Sequence, residues 1–193
     1  MALNYGFFDS AEGDNRTYIA ADFAKRFSLF FTNGVREGEL LVTAGLGKDV
    51  NVAAGYANIN GYHVQNDAVL NLAIGANTSG LPRIDRIIIK LDLTTRAFAI
   101  YVKAGTPASS PVPPTLTRNI SIYELSIAQV RINNNASAVN VTDERSSTSV
   151  CGYIKVDTFV PVNELWLQFN QELSEIQAAW DEWFTGQYAK ITP

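Results

Sequence analysis

The sequence predicts a mainly β protein with flanking helices: an antiparallel β-sandwich or barrel-like core, an N-terminal helix and a C-terminal coiled-coil helix. Three observations predict it. Short alternating apolar runs, broken by Gly, Asn and Pro turns, fill residues 39–145. Within them Asn60-Gly61 is a strong two-residue hairpin signal. Near the end of the chain Val162, Trp166, Phe169, Leu173, Ile176, Trp180 and Trp183 follow one another at steps of four, three, four, three, four and three. That is an a/d seam of period 3.5, which a helix buries by pairing with other helices.

The elements follow in order. Residues 1–16 are aromatic and turn-rich, with Tyr5, Phe7 and Phe8 ahead of a polar run from Ser10 to Asn15. A helix is expected over about 18–33. Phe23, Phe27, Phe30 and Phe31 recur at helical spacing and are read as core, and Asn33-Gly34 serves as the stop. Leu40–Val42, Val50–Val52, Tyr56–Ile59 and Val69–Ile74 read as strands. Ile84–Leu93 and Ala97–Lys103 flank a hairpin, and Ile87-Ile88-Ile89 is apolar enough to be covered on both faces. Residues 105–114 hold four prolines and predict an extended arm on the surface, reaching towards a neighbouring subunit. Ile120–Ile132 is a further long strand, and the last helix begins near Pro161. The expected organisation is an N-terminal attachment segment and helix over 1–38, a β-rich domain over 39–153 and an oligomerisation helix over 154–193.

Composition narrows the function. A 47% hydrophobic, 18% charged chain of 193 residues can bury a sizeable core. The net charge of -4 and the absence of a basic block argue against nucleic-acid binding. The single cysteine, Cys151, excludes an internal disulfide framework and an all-cysteine metal site, and it reads as a small buried residue. No apolar stretch approaches the ~18 residues of a transmembrane helix. Met1–Gly6 does not resemble the start of a signal peptide. No cofactor is indicated.

Candidate chemistry is sparse, and no catalytic or metal-binding residues are assigned. His63 is the one histidine, which leaves no triad and no His-rich metal site; it reads as a plain strand residue. Residues 44–49 superficially resemble a phosphate loop, but Val42 stands where the leading glycine belongs and Asp49 where Ser or Thr belongs. Asp85 and Asp92 lie seven residues apart on opposite strand faces, ~23 Å along a straight strand, too far for paired glycoside hydrolysis. Arg83, Asp85 and Arg86 read as an ion-paired strand end. Asp143-Glu144-Arg145 is expected to cap a backbone or pair with Arg118, with Ca2+ holding a bare possibility in its acidic side chains.

Several stretches taken together resemble one family: Tyr5–Ser10, Arg16–Phe23, Asn33–Val35, Val50–Ala57, Ile59–Gly61, Arg83–Arg86, Gly105–Pro111, Leu116–Arg118 and Thr142–Arg145. In that order they are similar to structural proteins of the tail tip and baseplate of tailed phages and prophages of Gram-positive-type bacteria. The likeness is to the N-terminal attachment module of upper-baseplate and receptor-binding proteins. It covers about residues 5–153. It implies a non-enzymatic virion component, made in the bacterial host cytoplasm, that partners itself and other tail proteins. Under it Tyr5, Phe7 and Phe8 become candidates for docking on the tail.

The heptad implies an oligomer, and bulky aromatics on the seam favour a homotrimer over a dimer. Starting the heptad at Val162 as a places Phe169, Ile176 and Trp183 at a and Trp166, Leu173 and Trp180 at d. The alternative is an amphipathic helix packed on the chain's own body. The competing functions are a receptor-binding module holding host-surface saccharide, with Tyr56, Tyr62 and Tyr101 as candidates, and a cell-wall hydrolase.

Overall fold

The computed structural model describes residues 6–156 and 162–191, with helix side chains described over 164–188 in the last segment. The chain divides into two compact units, Met1–Asp157 and Thr158–Pro193. The first is mainly β, with a short N-terminal helix, and the second is a single helix.

The described residues of the first unit form α1 (Ala20–Phe27) and ten strands: β1 (Gly34–Val35), β2 (Val42–Ala44), β3 (Val50–Val52), β4 (Gly55–Ile59), β5 (Tyr62–Asn66), β6 (Leu70–Leu72), β7 (Arg83–Asp92), β8 (Ala97–Lys103), β9 (Ile122–Ile132) and β10 (Asn140–Asp143). They form three antiparallel sheets, ordered β1-β4-β5, β10-β9-β7-β8 and β2-β3-β6. Asn60 and Gly61 both take positive φ, 52° and 79°, the backbone a tight two-residue hairpin requires between β4 and β5. At the β7–β8 turn the Asp92 carboxylate accepts from the Thr94 and Thr95 amides, at 3.0 and 3.1 Å, and fixes the loop without glycine.

One core joins the three sheets. Val35, Val42, Val50, Val52, Ala57 and Ile59 meet Ile87, Ile89, Leu125 and Ile127 there. The long strands β7 and β9 carry a register shift between Ile87 and Ile88, where Ile127 is the extra residue of β9. That bulge keeps Leu125, Ile127 and Ala128 all in the core. Ile87, Ile88 and Ile89 are each 0% exposed, so this run is covered on both faces. Ile88 turns away from the main core into a polar layer: Tyr101 and Ser126 are its register partners, and Arg86, Glu124 and Gln129 neighbour it along the strands.

Residues 104–117 have no regular secondary structure and lie half-buried to exposed. They fold back on their own unit. The Gly105 amide donates to Asp85 (2.9 Å), the Ala108 amide to the Pro82 carbonyl (3.0 Å), and Arg86 Nη1 to the Pro114 carbonyl (2.9 Å). A Cβ on Gly105 would collide with the Ile84 carbonyl oxygen, so only glycine permits this approach.

Two expectations about the N-terminal helix are corrected. It spans Ala20–Phe27 rather than about 18–33, and ends in a Ser28 cap whose amide donates to the Ala24 carbonyl. Phe23, Phe27, Phe30 and Phe31 are not core: each is exposed, Phe23 at 48% and Phe27 at 49%. The reason is the seating of the helix. Only Ala24 is buried in α1, against the β4–β5 turn, because Gly61 approaches its backbone so closely that any side chain there would strike the Ala24 carbonyl. Asn33 and Asn60 reinforce the contact by exchanging amide hydrogen bonds of 3.0 and 2.7 Å.

The second unit is α2 (Val162–Ile191), 30 residues long. None of its described side chains is buried. Gln168 donates to Glu172 and Gln171 to Glu175 along the helix surface, polar pairs at i,i+4 that support an isolated helix. Among the described residues no helix is long and apolar enough to cross a membrane.

Candidate assembly and docking surfaces

Two exposed apolar surfaces dominate the molecule. The first is the seam of α2. Trp166, Phe169, Leu173, Ile176, Trp180 and Trp183 are 47–59% exposed. Trp166 packs edge-on against Phe169 (5.6 Å between centroids) and Trp180 against Trp183 (5.3 Å), two ring pairs with Leu173 and Ile176 between them along the seam. The Val162 side chain lies outside the described residues. Steps of three run from a to d and steps of four from d to a. Trp166, Leu173 and Trp180 therefore occupy a, and Phe169, Ile176 and Trp183 occupy d, the reverse of the assignment made by starting at Val162. On an ideal helix this stripe drifts ~20° per heptad, which supercoiling removes.

The second surface surrounds α1. Phe7 packs on Tyr18 and Phe23, both at 5.2 Å, Arg26 lies over the Phe7 ring at 5.0 Å, and Phe27 stacks with Phe31 at 6.5 Å. Phe8, Ile19, Leu29 and Phe30 extend the exposed apolar area. Of the three candidate docking residues, Phe7 and Phe8 belong to this patch, and Tyr5 lies outside the described residues. An open cleft of about 550 Å3 runs through it, lined by Arg16, Tyr18, Lys25, Arg26 and Phe30 among others. Monomeric soluble proteins seldom leave so much contiguous apolar surface open.

Buried charge in the β unit is committed to holding loops. Arg83 forks onto Asp85 (2.9 and 3.1 Å) and also binds the Gly75 and Ala76 carbonyls, as the ion-paired strand end predicts. Glu124 accepts from Lys103 Nζ (2.6 Å), the Thr117 amide (2.6 Å) and the Tyr101 hydroxyl (2.5 Å). Burial opposes its ionisation, but these donors outweigh burial and hold its pKa below the usual carboxyl value. Burial first, and then Glu124 itself, push the Tyr101 hydroxyl up.

Glu144 is also buried and contacts Arg86 (3.2 Å), Ser126 and Gln129. Asp143 caps the Arg145 amide (3.0 Å) and pairs with its guanidinium (2.8 Å), which keeps its pKa low. Of the two alternatives the sequence leaves open for this segment, backbone capping is the one formed; Arg118 pairs with neither acid and donates to the Ser149 and Val150 carbonyls, both at 2.8 Å. Burial pushes the Cys151 thiol up to about 12.

The residues considered for a small-molecule site do not converge. Tyr62 lies with Ala57 and Ile59 on the core side of its sheet, Tyr56 points to the other side, and Tyr101 belongs to a different sheet and is bonded to Glu124. His63 is exposed on β5. Among the described residues no group of three or more His, Cys, Asp or Glu side chains could hold a metal ion.

The α1 surface was missed at the sequence level, because helical spacing of phenylalanines reads the same whether the partner is the chain's own core or another molecule. The Glu124 and Glu144 knots were missed as well. Their signal was the interruption of the apolar alternation in Leu125–Val130 and its flanks by Glu124, Ser126 and Gln129.

No protein-family profile matches the chain, and no curated protein matches it significantly.

Proposed function

We propose that this chain is a non-enzymatic structural protein of a phage tail tip or baseplate. It is an adaptor that joins copies of itself through α2 and meets the tail through the aromatic N-terminal surface. The observation that carries the reading is the α2 seam: six large apolar side chains at strict heptad spacing, all exposed on a helix with no buried face. Burying each such side chain contributes about 1.5–3 kcal/mol, so the seam supplies a strong drive to assemble.

Aromatics at both a and d fill a wider core than two strands enclose, which favours a parallel trimeric coiled coil. The acids of α2 keep off the seam: Glu164, Glu175, Asp181 and Glu182 fall at outward heptad positions, and Glu172 alone flanks the core. In the β unit, the sandwich-like reading is supported by the single core shared between the four-stranded sheet and the two smaller ones. The order of the family-like stretches in the sequence supports the virion assignment.

The test has two arms. Native mass measurement of the purified chain reads assembly. Immunogold labelling of virions from the producing strain reads location, with gold at the tail end expected and uniformly unlabelled particles contradicting the virion role.

A further inference from the structure

We infer that the tail partner enters the cleft beside α1 with an acidic segment, one that carries carboxylates next to an apolar side chain. The inference rests on the docking role just proposed for this surface and gives the partner its chemistry.

The cleft is preformed. The Tyr18 hydroxyl accepts from the Phe8 amide (2.7 Å) and donates to the Phe8 carbonyl (3.1 Å), and the Tyr18 ring stacks on Phe7 at 5.2 Å. Ser10 Oγ accepts from the Arg16 amide at 3.0 Å and ties the loop between them. The loop forms one wall and α1, seated on Gly61 through Ala24, forms the other. Its volume of about 550 Å3 lies within the range of sites that enclose a small ligand or a few side chains.

The charge of the cleft is one-sided. Arg16, Lys25 and Arg26 line it against a single acid, Asp22. The Asp22 carboxylate is committed to the start of the helix, where it accepts from the Ile19 amide at 2.9 Å. Arg16 is paired with Asp14 at 2.8 Å. Lys25 and Arg26 form no ion pair among the described residues. Arg26 lies instead over the Phe7 ring at 5.0 Å, which holds its guanidinium at the cleft. The other loop acids, Asp9 and Glu12, do not line it. On a chain of net charge -4, two unpaired bases beside an apolar wall make a local positive site.

That combination selects the occupant. Phe7, Leu29 and Phe30 take an apolar side chain, and neighbouring carboxylates pair with Lys25 and with the planar fork of Arg26. A second copy of this chain would bring the same bases together. A polynucleotide needs a run of phosphate contacts, which two bases on an acidic chain do not supply.

The test follows attachment of the purified full chain to tails from particles made without it, read by co-sedimentation. Wild type should attach, and at least about tenfold more slowly at about 0.5 M than at about 0.05 M salt. Lys25→Glu/Arg26→Glu should attach at least about tenfold more slowly than wild type at low salt. Lys48→Glu/Arg96→Glu, with the same net charge but the changes on other loops, should attach as wild type does. Lys25→Arg/Arg26→Lys should retain attachment, which separates loss of charge from loss of the helix. A glutamate–tyrosine copolymer should compete, and a lysine–tyrosine copolymer should not.

Salt-independent attachment, with the cleft-reversed variant attaching as wild type does, overturns this inference and leaves docking through the surface standing. Equal slowing in both reversed variants overturns it too, because net charge and not the cleft then matters. Competition by oligothymidylate and not by the glutamate copolymer marks a phosphate site and likewise overturns it. A wild type that does not attach to tails overturns the docking role itself.

Discussion

Gly61 lies directly beneath Ala24: a Cβ at Gly61 would overlap the Ala24 carbonyl oxygen, so the β4–β5 turn and α1 meet backbone to backbone. Gly61 also takes φ of +79°, where an L side chain is disfavoured by about 1–2 kcal/mol. Gly61→Ala should therefore lower the melting temperature of the β unit and lift α1 from its seat. Limited proteolysis within residues 20–33 should accelerate. Unchanged melting and unchanged cleavage would contradict this account of how the helix is anchored.

The exposure of the phenylalanines makes a separate prediction. Phe23→Ser and Phe27→Ser should each change the stability of a monomeric background by no more than about 0.5 kcal/mol, as for ordinary surface sites. Truncating a core phenylalanine costs about 3–5 kcal/mol, so chemical denaturation separates the two cases cleanly. A loss of several kcal/mol in the monomer would return these residues to the core.

Glu124 predicts an acid-dependent stability. Its folded pKa is depressed below the ordinary 4.5. The charged form thus stabilises the fold fully above that ordinary value, and the contribution is lost as pH falls through the depressed folded pKa. Glu124→Gln removes a charge that accepts from Lys103, Thr117 and Tyr101, and should cost about 1.5–3 kcal/mol at neutral pH. The difference between wild type and variant should narrow below pH 4.5. A gap that stays constant down the acid limb would show that the ionised carboxylate is not what holds the 117 loop.

Much of the β architecture was legible in the sequence, because its signals are local. Asn60-Gly61 specifies a turn by backbone conformation, and Ile87-Ile88-Ile89 specifies a strand covered on both faces by composition alone. What the sequence left hidden depends on distant partners. Leu40 is buried at φ +54° just ahead of β2, although the apolar run Leu40–Val42 reads as the strand itself. Glu144 meets Arg86 across 58 residues, and neither residue announces the other. The α1 phenylalanines show the clearest limit. Their spacing defines an apolar face, and only the glycine seat at residue 61 determines that the face points outward. The α2 seam was legible as a pattern, and its large apolar side chains lie exposed along the helix.

The central claim is assembly through α2, and analytical ultracentrifugation of the wild-type chain beside Leu173→Asp/Ile176→Asp tests it most directly. Each aspartate would bury an unpaired charge in a dry seam, at a cost of several kcal/mol. The wild type should sediment at three times the 21.1 kDa of one chain, and the double variant as a monomer whose β unit remains folded. A wild-type monomer, or a double variant of unchanged oligomeric mass, would contradict it.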